Sequence, residues 1–241
     1  MIYGIVSDVH SNLEALTAVL EALKERGAES FVCCGDVVGY GADPVACLHT
    51  ICELGCPVVM GNHDAAVAGK TAIEDFNANA RRAVEWTRSV LSNDWITYLA
   101  ELPLKTEHGP FHIVHATLNC PAEWRYLMTT YEAKINLDMM TLPICLFGHS
   151  HVPMAFVRKG DGISFGGEVA FTLEDGAQYM VNVGSVGQPR DGDPRAAAAV
   201  FDEEAGRFEL IRVPYDIDST RVKIVSAGLP PALAARLVNG E

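Results

Sequence analysis

Five short, β-prone apolar segments within residues 1–151 each end in a cluster of polar side chains. Ile2–Val6 runs into Ser7-Asp8-Val9-His10, and Phe31–Cys34 into Gly35-Asp36. Val58–Met60 runs into Gly61-Asn62-His63-Asp64. Phe111–Val114 is followed by His115, and Ile144–Phe147 by Gly148-His149-Ser150-His151. Apolar runs this short read as buried strands. Between the first three the pattern is helical. Leu13, Leu16, Leu20 and Leu23 share one face. Ser11 and Glu14 have the S-x-x-E spacing of a capping box. Gly27 stands where a helix-ending glycine belongs. Asp43-Pro44 reads as the cap and first position of a helix running to Gly55. This β-α-β-α-β alternation implies parallel strands with helices packed on the sheet. In such a sheet the carboxyl ends of strands gather at one edge, where ligands bind. Asp8, His10, Asp36, Asn62, His115, His149 and His151 are therefore expected to converge.

The remainder of the chain is more varied. Residues 77–101 read as helical, with a break at 92–94 and a stop before Pro103. Tyr131–Met140 reads as a short helix. From Gly160 onward, short alternating runs separated by Gly, Asp and Pro suggest a second, more antiparallel sheet. The runs are residues 163–165, 169–173, 179–183, 197–201 and 207–213. The tail, 215–241, is expected to hold a helix from Pro231 to Val238. No repeat or low-complexity linker interrupts the sequence, so residues 1–241 are expected as one domain. The segment of about 74–101 is either a lid or a layer of that fold. Its Arg81, Arg82 and Arg88 read as solvated helix positions.

Composition sets the outer limits. The chain is 49% apolar and 20% charged, which is globular and not disordered. Its formal charge of −13 argues against general nucleic-acid binding, where Lys and Arg must face phosphates. A small phosphorylated substrate, including a nucleotide, stays open, because metal ions can bring the positive charge. The longest apolar run, Ala196–Phe201, is far short of the roughly 20 residues of a membrane span. The first residues lack the basic region and apolar run of a secretory signal. Cys33, Cys34 and Cys145 lie in apolar runs, as buried free thiols of a reducing compartment do. The expected location is the cytoplasm. Cys47, Cys52 and Cys56 form no CxxC pair and read as packing residues. Nothing in the pattern fixes the oligomeric state.

The residue types at the strand ends suit metal chemistry. Carboxylates, imidazoles and an amide oxygen match Mn, Fe, Zn or Ni. Asp8/His10 and His149/His151 are i, i+2 pairs, which an extended segment aims the same way. Seven donors exceed one tetrahedral zinc and suit two ions sharing a carboxylate. A lone strand-end histidine is more often structural. Five clusters at matching strand ends change that weighting. His49, His108 and His112 lie outside the clusters and receive no role.

Asp8-x-His10, Gly35-Asp36, Gly61-Asn62-His63-Asp64, His115 and Gly148-His149-Ser150-His151 together resemble the calcineurin-like metallophosphoesterases. The blocks occur in the family's order across residues 8–151. Val181–Pro194 looks like the small prokaryotic, phosphodiesterase-type branch. The resemblance implies an α/β fold, a four-layer αββα sandwich with two mixed sheets and a dinuclear site. One ion would be held by Asp8, His10, Asp36 and His151. The other would be held by Asp36, Asn62, His115 and His149, with Asp36 bridging. Manganese is the first candidate, with iron, zinc or nickel as alternatives. His63 matches the catalytic histidine, which touches the substrate phosphate or protonates the leaving group. Asp64 matches the residue that orients it. The implied activity is hydrolysis of phosphate esters, phosphodiesters first. It would proceed by attack of a metal-bridging hydroxide with His63 as general acid. Diadenosine polyphosphate hydrolysis and phosphomonoesterase activity are the alternatives. A non-catalytic scaffold is disfavoured by the complete ligand set.

Two departures matter. The run Gly35-Asp36-Val37-Val38-Gly39-Tyr40-Gly41 lacks the second acid of GDxxD. It also lacks the Arg of the phosphoprotein phosphatases, which weakens that reading. Ala116-Thr117 follows His115 where Gly is common. Tyr40, Trp124, Tyr126 and Arg190 lie on loops near the motifs and are candidate substrate contacts. An aromatic ring stacks on a base, and Arg grips phosphate bidentately.

Overall fold

The computed structural model describes residues 1–167 and 169–241. Its strands are β1 (Ile2–Val6), β2 (Ser30–Cys33), β3 (Lys105–His108), β4 (Phe111–Val114), β5 (Ile144–Phe147), β6 (Met154–Lys159), β7 (Gly162–Gly166), β8 (Ala170–Thr172), β9 (Gln178–Asn182), β10 (Ala196–Asp202) and β11 (Arg207–Val213). Its helices are α1 (Leu13–Glu25), α2 (Pro44–Glu53), α3 (Asn62–Val67), α4 (Ala78–Val90), α5 (Asn93–Glu101), α6 (Thr130–Leu137), α7 (Ile217–Ser226) and α8 (Pro231–Ala235). Among the described residues one sheet runs β2-β1-β10-β11-β8 and the other β3-β4-β5-β9-β6-β7.

The strand sequences explain why two sheets stack. Successive side chains point to opposite faces of a strand. Ile5 and Val32 point into the core between the sheets, where Ile113, Ile144, Leu146 and Val181 meet them. Val6 and Cys33, one position on, point outward to Leu16, Val19, Leu48 and Ile51 of α1 and α2. Val114, Cys145 and Phe147 of the second sheet point outward to Ala133 and Leu137 of α6. Both faces of each sheet are covered, so these strands are apolar throughout. The four layers follow: helices, sheet, sheet, helix.

The sheets are not divided as the sequence pattern suggests. β1 and β2 are parallel, but β10 pairs antiparallel with β1. β9 pairs parallel with β5 and antiparallel with β6. The later strands are thus shared between both sheets, and each sheet is mixed. β1 and β5, apolar on both faces, each need hydrogen-bonding neighbours on both edges. Each takes one from the second half of the chain. Val58–Met60 is not a full strand: Val58 makes an isolated bridge to Cys33, and Met60 N donates to Pro103 O at 2.8 Å.

Caps also differ from expectation. Asn12, not Ser11, caps α1, its Oδ1 accepting from Ala15 N at 3.1 Å. Ser11 instead sits at φ 54° in the turn after β1. Gly27, at φ 83°, ends α1 as expected. The 77–101 segment breaks where expected, with Ser92 capping α5. Its two helices pack through Val84, Leu91 and Leu99 into the helical layer, and the cleft is bordered by residues 71–77, before α4, and by Ala80 in its first turn. Arg81 is not merely solvated: it donates to the main-chain oxygens of Ile73, Glu74 and Phe76. Arg88 donates to Ala66 O and Val67 O, the last carbonyls of α3. Arg88→Ala is expected to cost about 1–2 kcal/mol in urea unfolding, because those carbonyls lose a charged donor. An unchanged midpoint would remove that role. β3, β6 and α7 carry no strong sequence signal: β3 is half exposed, and α7 buries little beyond Thr220 and Ile224.

Candidate active site

All seven donors named from the sequence meet at one end of the sandwich. Asp8 and His10 follow β1, Asp36 follows β2, Asn62 opens α3, His115 follows β4, and His149 and His151 follow β5. Asp8, His10, Asp36, His115 and His151 are each at most 2% exposed, a burial that charged groups tolerate only when paired. Asp8 Oδ1 lies 3.3 Å from His151 Nε2, 3.8 Å from His10 Nε2 and 3.9 Å from His115 Nε2. Asp36 Oδ2 lies 3.3 Å from His115 Nε2 and 3.6 Å from His10 Nε2. Asn62 Oδ1 lies 3.2 Å from His115 Nε2 and 2.9 Å from His149 Nδ1. Two carboxylates therefore stand between one histidine pair and another.

The backbone reaches this arrangement through strained turns. Asp8, His10, Asp36, His149 and His151 have φ between 48° and 68°, the left-handed region. Non-glycine residues adopt it at a cost of about 1–2 kcal/mol each. Main-chain bonds fix the turns: Asp8 N to Gly35 O at 2.9 Å, His10 N to Asp36 O at 3.0 Å, Gly148 N to His115 O at 2.9 Å. Two glycines make room. A β-carbon at Gly61 would overlap the Asp36 carboxylate, and one at Gly148 the Ser7 hydroxyl and Asp8 carboxylate.

Tautomers follow from the partners. His10 Nδ1 donates to Val38 O (3.1 Å), His115 Nδ1 to Cys34 O (2.8 Å) and His151 Nδ1 to Gln188 O (2.6 Å). A carbonyl only accepts, so each Nδ1 carries a proton and each Nε2 is the nitrogen left facing the centre. His149 is turned the other way: Nε2 donates to Trp124 O at 2.8 Å, leaving Nδ1 for the centre. The Nε2 atoms of His10 and His151 face each other at 3.1 Å. Two facing lone pairs repel unless a cation or a proton lies between them. The donor set thus fits divalent ions. Asp8, His10 and His151 offer ligand atoms within 4.8 Å of one another, and so do Asp8, Asp36 and His115.

The electrostatics point the same way. Burial raises the Asp8 and Asp36 carboxyls, but neighbouring histidines outweigh it and hold both below the carboxylate range. Burial lowers His115, but Asp36 and Asp8 outweigh it and raise the imidazole to about 10. Without a cation, the two carboxylates keep a proton on His115. Binding a divalent ion at neutral pH must expel that proton. Calorimetric Mn²⁺ titration of metal-stripped protein at pH 7.5 is expected to give heats that depend on buffer ionisation enthalpy, with net proton release. Heats independent of buffer would contradict it. The linkage sign is also set. A raised histidine contributes stability below its unfolded value and loses it as pH rises through about 10. The metal-free protein is therefore expected to weaken from pH 6.5 toward 10.

His63 and Asp64 open α3 beside this centre. Burial lowers the His63 imidazole to about 4. Its ring packs against Tyr40 at 4.3 Å and His10 at 4.9 Å between centroids, and its Nδ1 has no partner among the described residues. Asp64 Oδ1 accepts from Val38 N and Oδ2 from Gly61 N, at 3.2 and 3.1 Å. It ties the turn after β2 to the start of α3, and so sets His63 through the backbone. Burial and the Asp36 charge raise its carboxyl to about 7.

A cleft of about 490 Å3 opens over His63, Asn62 and His149, walled by Tyr40, Phe76, Trp124 and Tyr126. Trp124 contributes chiefly its carbonyl to His149, and its indole donates to Thr71 Oγ1 at 3.3 Å. Tyr126, 53% exposed, stacks on the His149 ring at 4.4 Å. Tyr40 is buried. Arg190 lies 5.6 Å above the Tyr40 ring.

Three positioning residues lie outside the sequence expectations. Ser185 Oγ donates to Asp8 O at 2.8 Å, Gln188 O receives His151, and Asn182 Nδ2 donates to Gly148 O and Ser150 Oγ. The run Gly184-Ser185-Val186-Gly187 after an apolar strand is their signal, since paired glycines mark close backbone approach. His112 is structural: Nδ1 faces Glu107 at 3.1 Å, and Nε2 accepts from Thr141 N and Leu142 N.

Known proteins resemble this chain in sequence and in fold. Residues 1–206 match the calcineurin-like phosphoesterase superfamily domain. The uncharacterised protein MJ0912 of Methanocaldococcus jannaschii is 39% identical over 99% of this chain and 98% of its own length. A metallophosphoesterase from Sphaerobacter thermophilus is 35% identical, with a TM-score of 0.86 over 100% of this chain and 99% of its own. The hypothetical protein PH1004 from Pyrococcus horikoshii OT3 shares the fold at 20% identity, with a TM-score of 0.82 over 100% of this chain and 98% of its own.

Proposed function

The chain belongs to the calcineurin-like phosphoesterase superfamily, and on that premise we propose that it hydrolyses phosphate esters, phosphodiesters first, with two divalent ions. The observation that carries this reading is the convergence of seven donor groups and His63 beneath one open cleft. Asp8, His10, Asp36 and His151 would hold one ion, and Asp36, Asn62, His115 and His149 the other. No thiolate joins the set, which suits manganese first and iron, zinc or nickel next. Such ions supply a nucleophile at neutral pH and neutralise charge on phosphoryl oxygens. The carbonyls of Val38, Cys34, Gln188 and Trp124 fix the four imidazoles before substrate arrives. Asp36 also accepts from His63 N at 2.8 Å, which couples the ligand set to the general acid.

His63 is neutral in the free site. An arriving phosphate brings negative charge next to it and favours the imidazolium. The protonated ring then donates to the leaving oxygen. Phe76, Trp124 and Tyr126 offer apolar faces for an aromatic leaving group or a base. Buried free thiols at Cys33, Cys34, Cys47 and Cys145 support a reducing compartment, the cytoplasm. Among the described residues no helix is long and apolar enough to cross a membrane.

The test is a substrate panel on Mn-loaded protein: bis-p-nitrophenyl phosphate, p-nitrophenyl phosphate and diadenosine tetraphosphate. The diester is expected to lead the monoester by about 10-fold or more in kcat/KM, equivalent to about 1.4 kcal/mol in the barrier. A lead for the monoester makes the protein a phosphatase, and a lead for the dinucleotide a diadenosine polyphosphate hydrolase.

A further inference from the structure

Two guanidinium groups sit together beyond the ring of Tyr40. Arg190 Nη2 donates to Gln188 Oε1 at 2.8 Å, and Arg236 Nη1 donates to the same oxygen at 3.1 Å. Several other arginines of this acidic chain pair with carboxylates, as Arg158 does with Asp138, Arg195 with Asp193 and Arg221 with Asp218. These two converge on one neutral amide. Arg190 Nε is buried with no partner among the described residues. Arg236 Nε donates to the main-chain oxygen of Glu241. Two like charges on one acceptor repel each other, and an anion between them would relieve that repulsion.

The pair is tied to the catalytic centre. Arg190 N donates to His151 O at 3.2 Å, and Gln188 O accepts from His151 Nδ1. The Tyr40 ring packs against Arg190 as well as against His10 and His63. The tail that carries Arg236 is seated by Leu233 and Leu237 in the same apolar cluster as Tyr40, so its position is fixed. Arg236 lines a hollow of about 560 Å3 that shares Asn77 with the catalytic cleft, and Arg190 lies behind Tyr40, which walls that cleft. Charge is uneven across this space. Asp75 and Glu123 line the cleft itself and Glu241 lines the hollow beside Arg236, whereas Arg190 packs on Tyr40.

We propose that Arg190 and Arg236 form a subsite for a second anionic group, phosphate or carboxylate, carried by the substrate a few bonds from the reacting phosphoryl group. This rests on the phosphoesterase reading above. Arg236 lies beyond residue 206, where the matched family domain ends, so the tail completes the subsite. Preferred substrates then carry two anionic groups, one at the metals and one at the arginines.

Calorimetric binding to the Mn-loaded full chain tests this without turnover. The ligands are methylphosphonate, 3-phosphonopropionate and propane-1,3-diphosphonate. At least one bifunctional ligand is expected to bind about 10-fold or more tighter than methylphosphonate, as charge-assisted bidentate contacts allow. The better of the two identifies carboxylate or phosphate. That ratio is expected to fall to about 3-fold or less in Arg190→Gln and in Arg236→Gln, with partial recovery in Arg236→Lys. Equal affinities in the wild type, or a ratio that survives in both Gln variants, would overturn the subsite. Turnover of bis-p-nitrophenyl phosphate by the same preparation tests the phosphoesterase reading separately.

Discussion

Asp36→Asn is expected to lower kcat/KM on bis-p-nitrophenyl phosphate by at least about 10³-fold and to leave the chain short of one metal ion. Asp36 lies within 3.6 Å of both His10 and His115, so it faces both groups of donors. The amide keeps the size of the side chain and removes its charge. Removing one charge from a buried cluster of imidazoles leaves the cations less neutralised, at a cost of several kcal/mol. A thousandfold loss corresponds to about 4 kcal/mol, which one displaced catalytic ion supplies. Metal content by emission spectroscopy and melting temperature of the stripped protein separate this from misfolding. Full activity with two bound ions would remove Asp36 from the centre.

His63→Ala is expected to keep both ions and to lose about 10²–10⁴-fold on esters with poor leaving groups. On p-nitrophenyl esters the loss is expected to be smaller, because p-nitrophenolate departs without a proton. The separation follows from geometry. His63 touches the ligand rings by packing, and its imidazole is outside both groups of clustered metal donors. Its backbone N–H, which Asp36 accepts, survives the substitution. A comparison of alkyl and p-nitrophenyl diesters reads the difference. Equal losses on both, or loss of metal with activity, would end the general-acid role.

Much of this site is visible in the chain, for a definite reason. Each donor but Asn62 follows a strand that is largely apolar on both faces, and that pattern is local. The sequence therefore locates Asp8, Asp36 and the His149/His151 pair without knowledge of pairing. Convergence survives even though the early strands lie in two sheets, because β1, β2, β4 and β5 all end at the same side of the sandwich. What the pattern does not carry is pairing between distant segments. β9 beside β5 and β10 beside β1 depend on which exposed edges remain, and no local periodicity records that. Asp64 shows the same limit. The resemblance assigns Asp64 to orienting His63 without the means, and the start of α3 turns its carboxylate to the Gly61 and Val38 amides. Ser11 loses its cap role because the turn that aims His10 takes it first. The place of Arg236 beside Gln188 is invisible in the sequence, since only the docking of the tail on Tyr40 brings it there.

The most direct measurement is a Mn²⁺ titration of metal-stripped protein with bis-p-nitrophenyl phosphate hydrolysis followed at each point. Activity that rises from baseline and saturates at two ions per chain is the predicted result. Two ions bound with no hydrolysis of the diester, the monoester or the dinucleotide would contradict it and leave a metal-binding scaffold.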